Sequence, residues 1–465
     1  MSTLETGHSP QKVTLPDNWK DEARSLLSLG VPMALTQLAA FAVYTVDVLM
    51  IGRISPEDLA AASLGTVIYF ALWMVGAGPV MAVSPLVSQA LGANQNDTRD
   101  VRRSVRMALW VIFLMFPVVF VALWLTEPIA LALGQDPGVS AKAANYVLAL
   151  SVGWPFALAT MALRNFLAAL GKTKVPLVLV IITTLINAGL NYVLIFGNFG
   201  VPRLELVGAG IASSMSYTIG FFLFVAYIAI DRQGKTFDLF QHFWRSDWAR
   251  FREVIALGWP ISMTTIFEGM LFNSAVILMG LIGIMEVAAY QISINVVALA
   301  FMLPWGISMA GAVRVGLAEG AGNRNAVKRS ATVTMVAAIL SVIALALILA
   351  LFPNGVAAFY LDPEDPANAP VIELVLLFLP IAAAFMVFDA AQVAANQVLR
   401  GLKDVQWPMY LCGVSYWLIG FPVAAILGAS SLGAVGIWYG LTAGLFAATV
   451  LLGGRLWWLA WLKKA

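Results

Sequence analysis

The sequence predicts an all-α integral membrane protein in which twelve transmembrane helices form two parallel six-helix repeats, or lobes. Of its 465 residues, 61% are hydrophobic and only 11% are charged, whereas a typical soluble domain carries about 25% charged residues. The mean hydropathy is +0.87, and apolar runs near the roughly 20 residues that cross a bilayer recur along the chain. The third observation is an internal repeat, which relates the two lobes by a pseudo-twofold axis along the membrane normal.

Composition also excludes several classes of protein. A net charge of +2 is too small to indicate a nucleic-acid partner. The single cysteine, Cys412, excludes an intramolecular disulfide framework and a CxxC metal site. The two histidines, His8 and His242, lie outside the apolar runs, which argues against zinc and haem sites. We therefore expect no cofactor. The apolar run that begins near Leu26 is too long for a cleaved signal peptide.

The apolar runs divide into twelve spans, and none resembles the alternating strands of an outer-membrane barrel. Hydropathy places each boundary to within about 2–4 residues. The predicted spans are about 25–52, 60–91, 104–126, 139–166, 175–198, 208–230, 253–283, 286–318, 330–352, 370–399, 406–428 and 434–460.

The basic residues indicate the orientation. All but three of the 27 Lys and Arg residues fall at alternate connections, on the side that includes both termini. The exceptions are Arg53, Lys142 and Arg203. Because cytoplasmic connections carry the excess of Lys and Arg, both termini are expected in the cytoplasm of a cell (inner or plasma) membrane protein.

The two halves repeat one plan. "LGVPMALTQLAAF" from Leu29 matches "LGWPISMTTIFEG" from Leu257 at an offset of 228, and "VSQALGANQNDTRDVRRS" from Val87 matches "VGLAEGAGNRNAVKRS" at the same offset. "LAALGKTKVP" and "LRGLKDVQWP" match at 232. Each half begins on the same side, so the repeats run parallel, and such repeats place substrate sites at their interface near the midplane.

The predicted division follows from the spans and the repeat. "DRQGKTFDLFQHFWRSDWARFR" between the halves alternates aromatic and charged residues at helical spacing, which favours an amphipathic helix in the membrane interface. An ordinary solvated linker is the alternative. The predicted parts are a cytoplasmic tail over 1–24, a first lobe over 25–230, a linker with this helix over 231–252, a second lobe over 253–460 and a cytoplasmic C-terminus over 461–465.

Three acidic residues lie inside the apolar spans: Asp47 in span 1, Glu268 in span 7 and Asp389 in span 10. A charged residue at the centre of a membrane helix costs roughly 2.5–3.5 kcal/mol on insertion scales. None of the three spans offers a Lys or Arg partner, so each acid is expected to face the protein interior or a wet cavity. Proton coupling needs acids in such positions. A protonated or hydrogen-bonded acid that joins helices is the alternative.

Polar residues in neighbouring spans are candidate partners of these acids. Asn187 and Asn191 lie four residues apart on one helix face and are expected to meet Asp47, with Ser213 and Ser214 as further candidates. Generic polar contacts between helices are the alternative for each of them. The second-half candidates, whose oxygens also suit Na⁺ at Glu268 and Asp389, are Tyr290, Gln291, Asn295 and Gln392.

These motifs resemble the MATE (multidrug and toxic compound extrusion) transporters, specifically the NorM-type branch. The resemblance covers about residues 22–460 and is carried by "VDVLMIG", "INAGLNYVLIFG", "FEGMLF", "AAYQISIN" and "FDAAQVAANQVLRGLKD". It implies two six-helix lobes in a V and export of organic cations in exchange for H⁺ or Na⁺. It also implies a first-lobe acid site at Asp47 with Asn187 and Asn191, and a second-lobe cation site at Glu268 and Asp389.

The function expected from the sequence is secondary antiport, by alternating access of two lobes, of amphipathic cationic drugs and dyes. We expect a monomer in the lipid bilayer with no enzymatic activity. One alternative is a lipid-linked-oligosaccharide flippase of related fold, which needs a basic cavity for its pyrophosphate. The other is an intramembrane aspartyl protease, but neither Asp47 nor Asp389 lies in a Gly-x-Gly-Asp-like motif.

Overall fold

The computed structural model describes residues 15–94 and 98–462, which are almost entirely helical and include no β-strand. The predictions for residues 1–14, 95–97 and 463–465 lie outside the described residues. The helices are α1 (Trp19–Ile51), α2 (Pro56–Met81), α3 (Val83–Ala93), α4 (Thr98–Trp124), α5 (Thr126–Ala132), α6 (Pro137–Ser151), α7 (Trp154–Ala169), α8 (Lys174–Phe196), α9 (Glu205–Ile230), α10 (Arg232–Thr236), α11 (Trp248–Ile282), α12 (Ile284–Gly320), α13 (Arg324–Leu351), α14 (Pro353–Tyr360), α15 (Ala369–Gly401), α16 (Gln406–Gly413), α17 (Phe421–Gly428) and α18 (Gly433–Trp457).

The number of helices that can cross a membrane agrees with the predicted twelve. Within the described ranges, eleven helical stretches are long and apolar enough to do so, counting α2 with α3 and α16 with α17 as single spans. The twelfth is the pair α6 and α7, which is bent by 46° at a short break. Pro155 lies just after this break, and a proline leaves a backbone carbonyl of the preceding turn without its hydrogen bond.

Several helices begin outside the apolar run that identified them. α1 starts at Trp19, and the Asn18 side chain accepts a hydrogen bond from the backbone N–H of Asp21. Asp21 and Glu22 in its first turn suit the positive end of the helix dipole. Hydropathy therefore marked the membrane-crossing part near residue 25, whereas the cap sets the true beginning of the helix.

The buried apolar side chains form two large clusters. One lies mainly in the first half, from Ile51 to Ile228, with a few members from the linker and the second half. The other lies wholly in the second half, from Leu271 to Ala460. A small third cluster, around Leu26 and Ile307, joins α1 to α12.

Close contacts between the halves follow the pseudo-twofold axis. A Cβ atom on Gly30 would lie 3.0 Å from the backbone of Ile307, and one on Gly258 would lie 2.5 Å from the backbone of Pro79. Adding the repeat offset of 228 to Gly30 and Pro79 gives Gly258 and Ile307, so the second contact is the first with its partners exchanged. The pairs Gly92–Leu317 and Gly320–Gln89 exchange in the same way.

The same offset links Ser88 to Gly316, and these two residues touch each other: a Cβ atom on Gly316 would lie 2.1 Å from the Ser88 hydroxyl oxygen. A residue that contacts its own repeat equivalent must lie beside the symmetry axis. The predicted parallel repeats and their twofold relation are therefore present in the structure, and the axis passes between α3 and α12.

Polar contacts also join the halves at this end of the molecule. Arg314 of α12 donates from Nε and Nη2 to the two carboxylate oxygens of Glu22 in α1, at 2.9 and 2.6 Å, and both side chains are buried. The Ser330 hydroxyl donates to the same carboxylate at 2.7 Å. Gln89 donates to the carbonyl oxygen of Gly401 at 2.8 Å. This end of the interface is tightly closed.

The amphipathic helix predicted for the linker is wrong for most of its length. Within the predicted linker, helix occurs at α10 and again from Trp248, where α11 begins, and the residues between them form turns and irregular structure. Asp231 and Asp247 each accept hydrogen bonds from the first turn of the helix that follows them, and Asp238 and His242 have positive φ angles of 43° and 52°. Two caps and two left-handed residues divide the segment, although its aromatic spacing matched a helix.

Candidate functional site

The acid of the first half lies among uncharged donors. Asp47 of α1 is buried, with 8% of its surface exposed. Its Oδ1 accepts a hydrogen bond from Asn191 Nδ2 at 2.5 Å, and its Oδ2 accepts one from the Ser213 hydroxyl at 2.9 Å. Asn187 closes the network, since its Oδ1 accepts from Asn191 and its Nδ2 donates to Ser213, both at 3.2 Å. The structure thus brings together the residues that the sequence proposed.

Helix packing explains why these side chains meet. Asn187 and Asn191 lie one turn apart on α8, so they share one face. That face packs against both α1 and α9, which carry Asp47 and Ser213. Asn191 Oδ1 is buried and has no hydrogen-bond partner among the residues that the structure describes, so the site keeps one free acceptor next to the carboxylate.

Ser214, the other serine proposed for this site, lies elsewhere. Its hydroxyl donates to the carbonyl oxygen of Ala149 at 2.6 Å and accepts from the backbone N–H of Gly153 at 3.1 Å. Ser214 therefore satisfies backbone groups at the break between α6 and α7.

Two tyrosines that the sequence reasoning missed lie near the first acid, and a third tyrosine lies near them. Tyr146 and Tyr217 lie close enough to Asp47 to interact with it electrostatically, and both also lie near Tyr69. The Tyr69 hydroxyl is buried without a hydrogen-bond partner. A tyrosine in an apolar span carries no spacing signal that separates it from packing, which explains the omission.

The second half brings two acids onto one amide. Gln392 Nε2 donates to Glu268 Oε1 at 2.8 Å and to Asp389 Oδ1 at 3.1 Å. Gln392 Oε1 in turn accepts from the Tyr416 hydroxyl at 3.1 Å. Asp389 and Gln392 lie one turn apart on α15, and α11 supplies Glu268. Among the proposed residues, Glu268, Asp389 and Gln392 form one cluster.

Tyr416 belongs to this cluster and was not proposed from the sequence. It is fully buried and lies in a π-helical stretch, Val414–Gly420, between α16 and α17. π-helical turns often occur at functional sites because they turn side chains out of the α-helical register. No feature of "GVSYWLIG" distinguishes such a turn from a regular helix.

The second-half acids have a cationic neighbour from outside the predicted spans. Arg400 is buried, with 8% of its surface exposed, and lies within electrostatic range of Glu268. It is separated from Asp389 by three turns on one face of α15, and Nη1 contacts Met81 Sδ of the first half at 3.5 Å. The residue lies just beyond predicted span 10, but α15 and its long side chain bring it back inside the protein.

The other proposed second-half residues do not join the acid pair. The Tyr290 hydroxyl donates to the carbonyl oxygen of Phe272 at 3.3 Å, and its ring packs on Trp438. Gln291 is exposed, and the exposed Asn295 accepts a hydrogen bond from Tyr360. Hydropathy finds polar residues in a span but does not fix their angle around the helix, so these three were placed at the wrong site.

Three arginines near the ends of their helices lie inside the protein. Arg314 is paired with Glu22, Arg400 lies near Glu268, and Arg164 of α7 donates from Nη2 to Gln37 Oε1 at 2.9 Å. Within the described ranges, no group of three or more His, Cys, Asp or Glu side chains is arranged to hold a metal ion.

Comparisons with known proteins agree with the geometry. The MatE family model matches residues 32–193 and 260–426. "Probable multidrug resistance protein NorM" of Mesorhizobium japonicum is 38% identical over 100% of this chain and 98% of that protein, and the protein of the same name from Rhizobium meliloti is 41% identical over 94% of each.

Solved structures share the fold at lower identity. The eukaryotic MATE transporter AtDTX14 superposes with a TM-score of 0.84 at 20% identity, over 96% of this chain and 97% of that one. A structure described as the outward-facing conformation of a multidrug resistance MATE family transporter gives 0.84 at 17% identity, over 95% and 97%. These likenesses show the fold.

Proposed function

The chain belongs to the MatE family of membrane transporters, and from that premise we propose that it exports amphipathic organic cations in exchange for H⁺ or Na⁺. The curated relatives are named as multidrug resistance proteins, which supports drug-like small molecules as substrates. The observation that carries the coupling part of the proposal is Asp47, a buried carboxyl group whose described hydrogen bonds all come from neutral side chains.

The first acid site is suited to bind a proton or a small cation. The donors Asn191 and Ser213 stabilise the carboxylate when the site is empty. The unpaired Oδ1 of Asn191 offers one more oxygen beside it. A carboxylate with a neighbouring amide oxygen suits Na⁺, and a carboxyl group alone suffices for H⁺. In our proposal, loading this site weakens substrate binding and favours release.

The second acid site is proposed to attract the cationic substrate or Na⁺. Glu268 and Asp389 both accept from one amide group, so they lie near each other in a buried place. Two neighbouring carboxylates repel each other, and a cation between them relieves that repulsion. One charge that crosses the membrane releases about 2.3 kcal/mol per 100 mV of membrane potential, which is the driving force in the proposal.

The closed end of the interface supports alternating access. The described glycine contacts between the halves lie on the side that carries the basic connections, or near mid-membrane at Gly269 and Met74. If that side is cytoplasmic, as the distribution of Lys and Arg favours, the structure corresponds in our proposal to a state that is closed toward the cytoplasm. We further propose that the two lobes, 25–230 and 253–460, move against each other as a monomer.

A cysteine at Ser88 tests the opening of this interface. Ser88 is fully buried beside the symmetry axis. In a Ser88→Cys protein that also carries Cys412→Ala, a thiol reagent on the cytoplasmic side is expected to label the cysteine during turnover only. The wild-type chain, whose single Cys412 is buried, is the control. Absence of labelling during turnover would contradict alternating access at this interface.

Transport of a fluorescent cation by the purified protein in proteoliposomes tests the proposed function. A pH gradient is imposed first, and an Na⁺ gradient follows in a separate preparation. Uphill movement of the dye under one gradient supports antiport and identifies the ion. Movement under neither gradient, with the protein folded and inserted, would contradict the proposal.

Arg314 and Arg400 do not strengthen the flippase alternative. Arg314 is neutralised by Glu22, and Arg400 lies near Glu268, so neither offers a free guanidinium group to a pyrophosphate. The protease alternative needs two aspartates facing each other. Asp47 and Asp389 lie in separate hydrogen-bond networks. Cleavage of candidate transmembrane peptides by the purified protein is the outcome that would revive it.

A further inference from the structure

Several arginines gather where the linker meets the start of α4. Arg106 lies within electrostatic range of Arg102, Arg103 and Arg245. Arg250 joins the same group, because it pairs with Asp100, which also pairs with Arg103. The described ion pairs of this cluster use Asp100, Asp247 and Glu253, so five guanidinium groups face three carboxylates.

Three of these guanidinium groups have no carboxylate partner among the described residues. Arg102 Nη1 donates to Gln241 Oε1 at 2.6 Å, and Arg106 Nη1 donates to the carbonyl oxygen of His242 at 3.0 Å. Arg245 is exposed and forms no described ion pair. Arg106 is only 5% exposed, and its Nε has no hydrogen-bond partner. Asp247 lies within electrostatic range of Arg106 but already pairs with Arg103. Buried positive charge is costly when carboxylates are too few to balance it, so a further anion would stabilise the cluster.

The cluster lies at the edge of the membrane. Arg106 is the last charged residue before an uncharged run that continues to Trp124. Trp110, one turn deeper, donates to the carbonyl oxygen of Phe243 and holds the linker against α4. Trp244 and Trp248 are 83% and 57% exposed, and tryptophan side chains prefer the headgroup level of a bilayer.

We propose that this cluster binds the phosphate group of an anionic phospholipid, with Trp244 and Trp248 in contact with the lipid beside it. The unpaired donors of Arg106 and Arg245 supply charge-assisted hydrogen bonds to phosphate oxygens. The exposed indole rings explain why the ligand is a lipid and not a free phosphate. Basic pockets on the cytoplasmic side of membrane helices bind such headgroups.

Native mass spectrometry of the full-length protein with added phosphatidylglycerol tests this proposal. Each arginine removed is expected to weaken binding about fivefold. The Arg106→Gln, Arg245→Gln double variant should therefore bind phosphatidylglycerol roughly 25-fold more weakly. Arg245→Gln alone, at an exposed position, keeps the test available if the double variant does not fold. Arg232→Gln, an exposed linker arginine outside the cluster, is the matched control and should bind like the wild type.

The remaining measurements distinguish the ligand. Phosphatidylcholine should bind the wild type more weakly than phosphatidylglycerol, and Trp244→Ala should lower phosphatidylglycerol binding. Inorganic phosphate at the same concentration should not displace the lipid. Equal binding of the two lipids, displacement by inorganic phosphate, or unchanged binding by the arginine variants would each overturn the proposal.

Discussion

The acid site of the first half contains one carboxyl group, and that of the second half contains two. The repeat offset of 228 places Ala275, which is 1% exposed, at the position of Asp47, and Ala40 at the position of Glu268. Backbone contacts between the halves obey the twofold relation closely, as the exchanged pairs Gly30–Ile307 and Gly258–Pro79 show. The repeat therefore preserves helix packing but not the position of its acids.

The surroundings of the two sites differ in charge. The described hydrogen bonds of Asp47 come from neutral donors, whereas Glu268 and Asp389 share Gln392 and have Arg400 within electrostatic range. A single acid among neutral donors changes its charge when one H⁺ or Na⁺ binds. At the second site, where two acids lie near an arginine, the net charge after a cation binds depends on all three groups. In our proposal the first site responds to the coupling ion and the second balances the ion against the substrate.

The largest expected effect is loss of export when either site loses a charge. Asp47→Asn and Glu268→Gln keep the size of the side chain but cannot ionise, so each is expected to reduce drug resistance to the level of cells without the transporter. Resistance is measured by growth in cationic dyes, with expression checked by immunoblot. Asp362→Asn in an exposed loop is the control. Export at the wild-type level by both variants would show that neither carboxyl group is needed for transport.

Ser213→Ala is expected to have the next largest effect. It removes one of the hydrogen bonds to the Asp47 carboxylate, and a hydrogen bond to a charged group contributes about 1.5–3 kcal/mol, or roughly 10–100-fold in ion affinity. The measurement is transport rate against the concentration of the coupling ion. Ser214→Ala, next along α9 but bonded to backbone groups, should change that affinity little. Equal effects of the two substitutions would contradict the assigned first site.

The first site was more predictable from sequence than the second for a geometric reason. Asn187 and Asn191 lie on one face of α8 at a spacing that any helix enforces, so only the pairing of helices had to be inferred. Tyr416 reaches Gln392 from a π-helical turn, and Arg400 reaches the acid pair from beyond the hydropathy boundary. Gln291 and Asn295 were proposed only because they are polar residues of a neighbouring span, and they prove to be exposed. The number of spans and the internal repeat were predictable because they depend on the hydropathy and the order of the residues, which can be read directly from the sequence.

Arg400→Gln tests whether the second site depends on a neighbouring positive charge. Without Arg400, Glu268 loses the cation within its electrostatic range, so a cationic substrate should bind more tightly, with KM lower by about tenfold. Lys403→Gln, near the same end of α15 and paired with Glu253 at 3.3 Å, is the control. A KM that stays the same in both variants would show that Arg400 serves packing against Met81 only.

Tyr416→Phe should have a smaller effect, because it removes a bond between neutral groups. Such a bond contributes about 0.5–1.5 kcal/mol, or roughly 2–10-fold in KM for the cation. Tyr290→Phe, which loses a bond to a backbone carbonyl oxygen away from the acids, should leave KM unchanged. If the two sites act independently, the effect of Tyr416→Phe on KM should be the same, within about 0.5 kcal/mol, in the wild type and in a Ser213→Ala background. A larger departure would show that they are coupled.

The smallest effect on transport is expected for substitution of Asp247, which lies in the linker between the two lobes. The hydrogen bond from Arg103 holds the pKa of Asp247 at about 2, below its usual value of 3.8. A lowered pKa means that the ionised carboxylate stabilises the fold above about pH 4, and that this contribution is lost as the pH falls through 2. Transport between pH 6 and 8 should therefore be the same in Asp247→Asn and in the wild type.

Thermal unfolding across pH completes the contrast with the membrane acids. Asp247→Asn still caps α11 but loses its ion pair, so its unfolding temperature should be lower than that of the wild type at neutral pH. The two temperatures should converge as the pH falls through 2, because the wild-type carboxylate becomes neutral below its pKa. If Asp247→Asn altered the pH dependence of transport between pH 6 and 8, the linker would share the titrating role that we assign to the sites within the membrane.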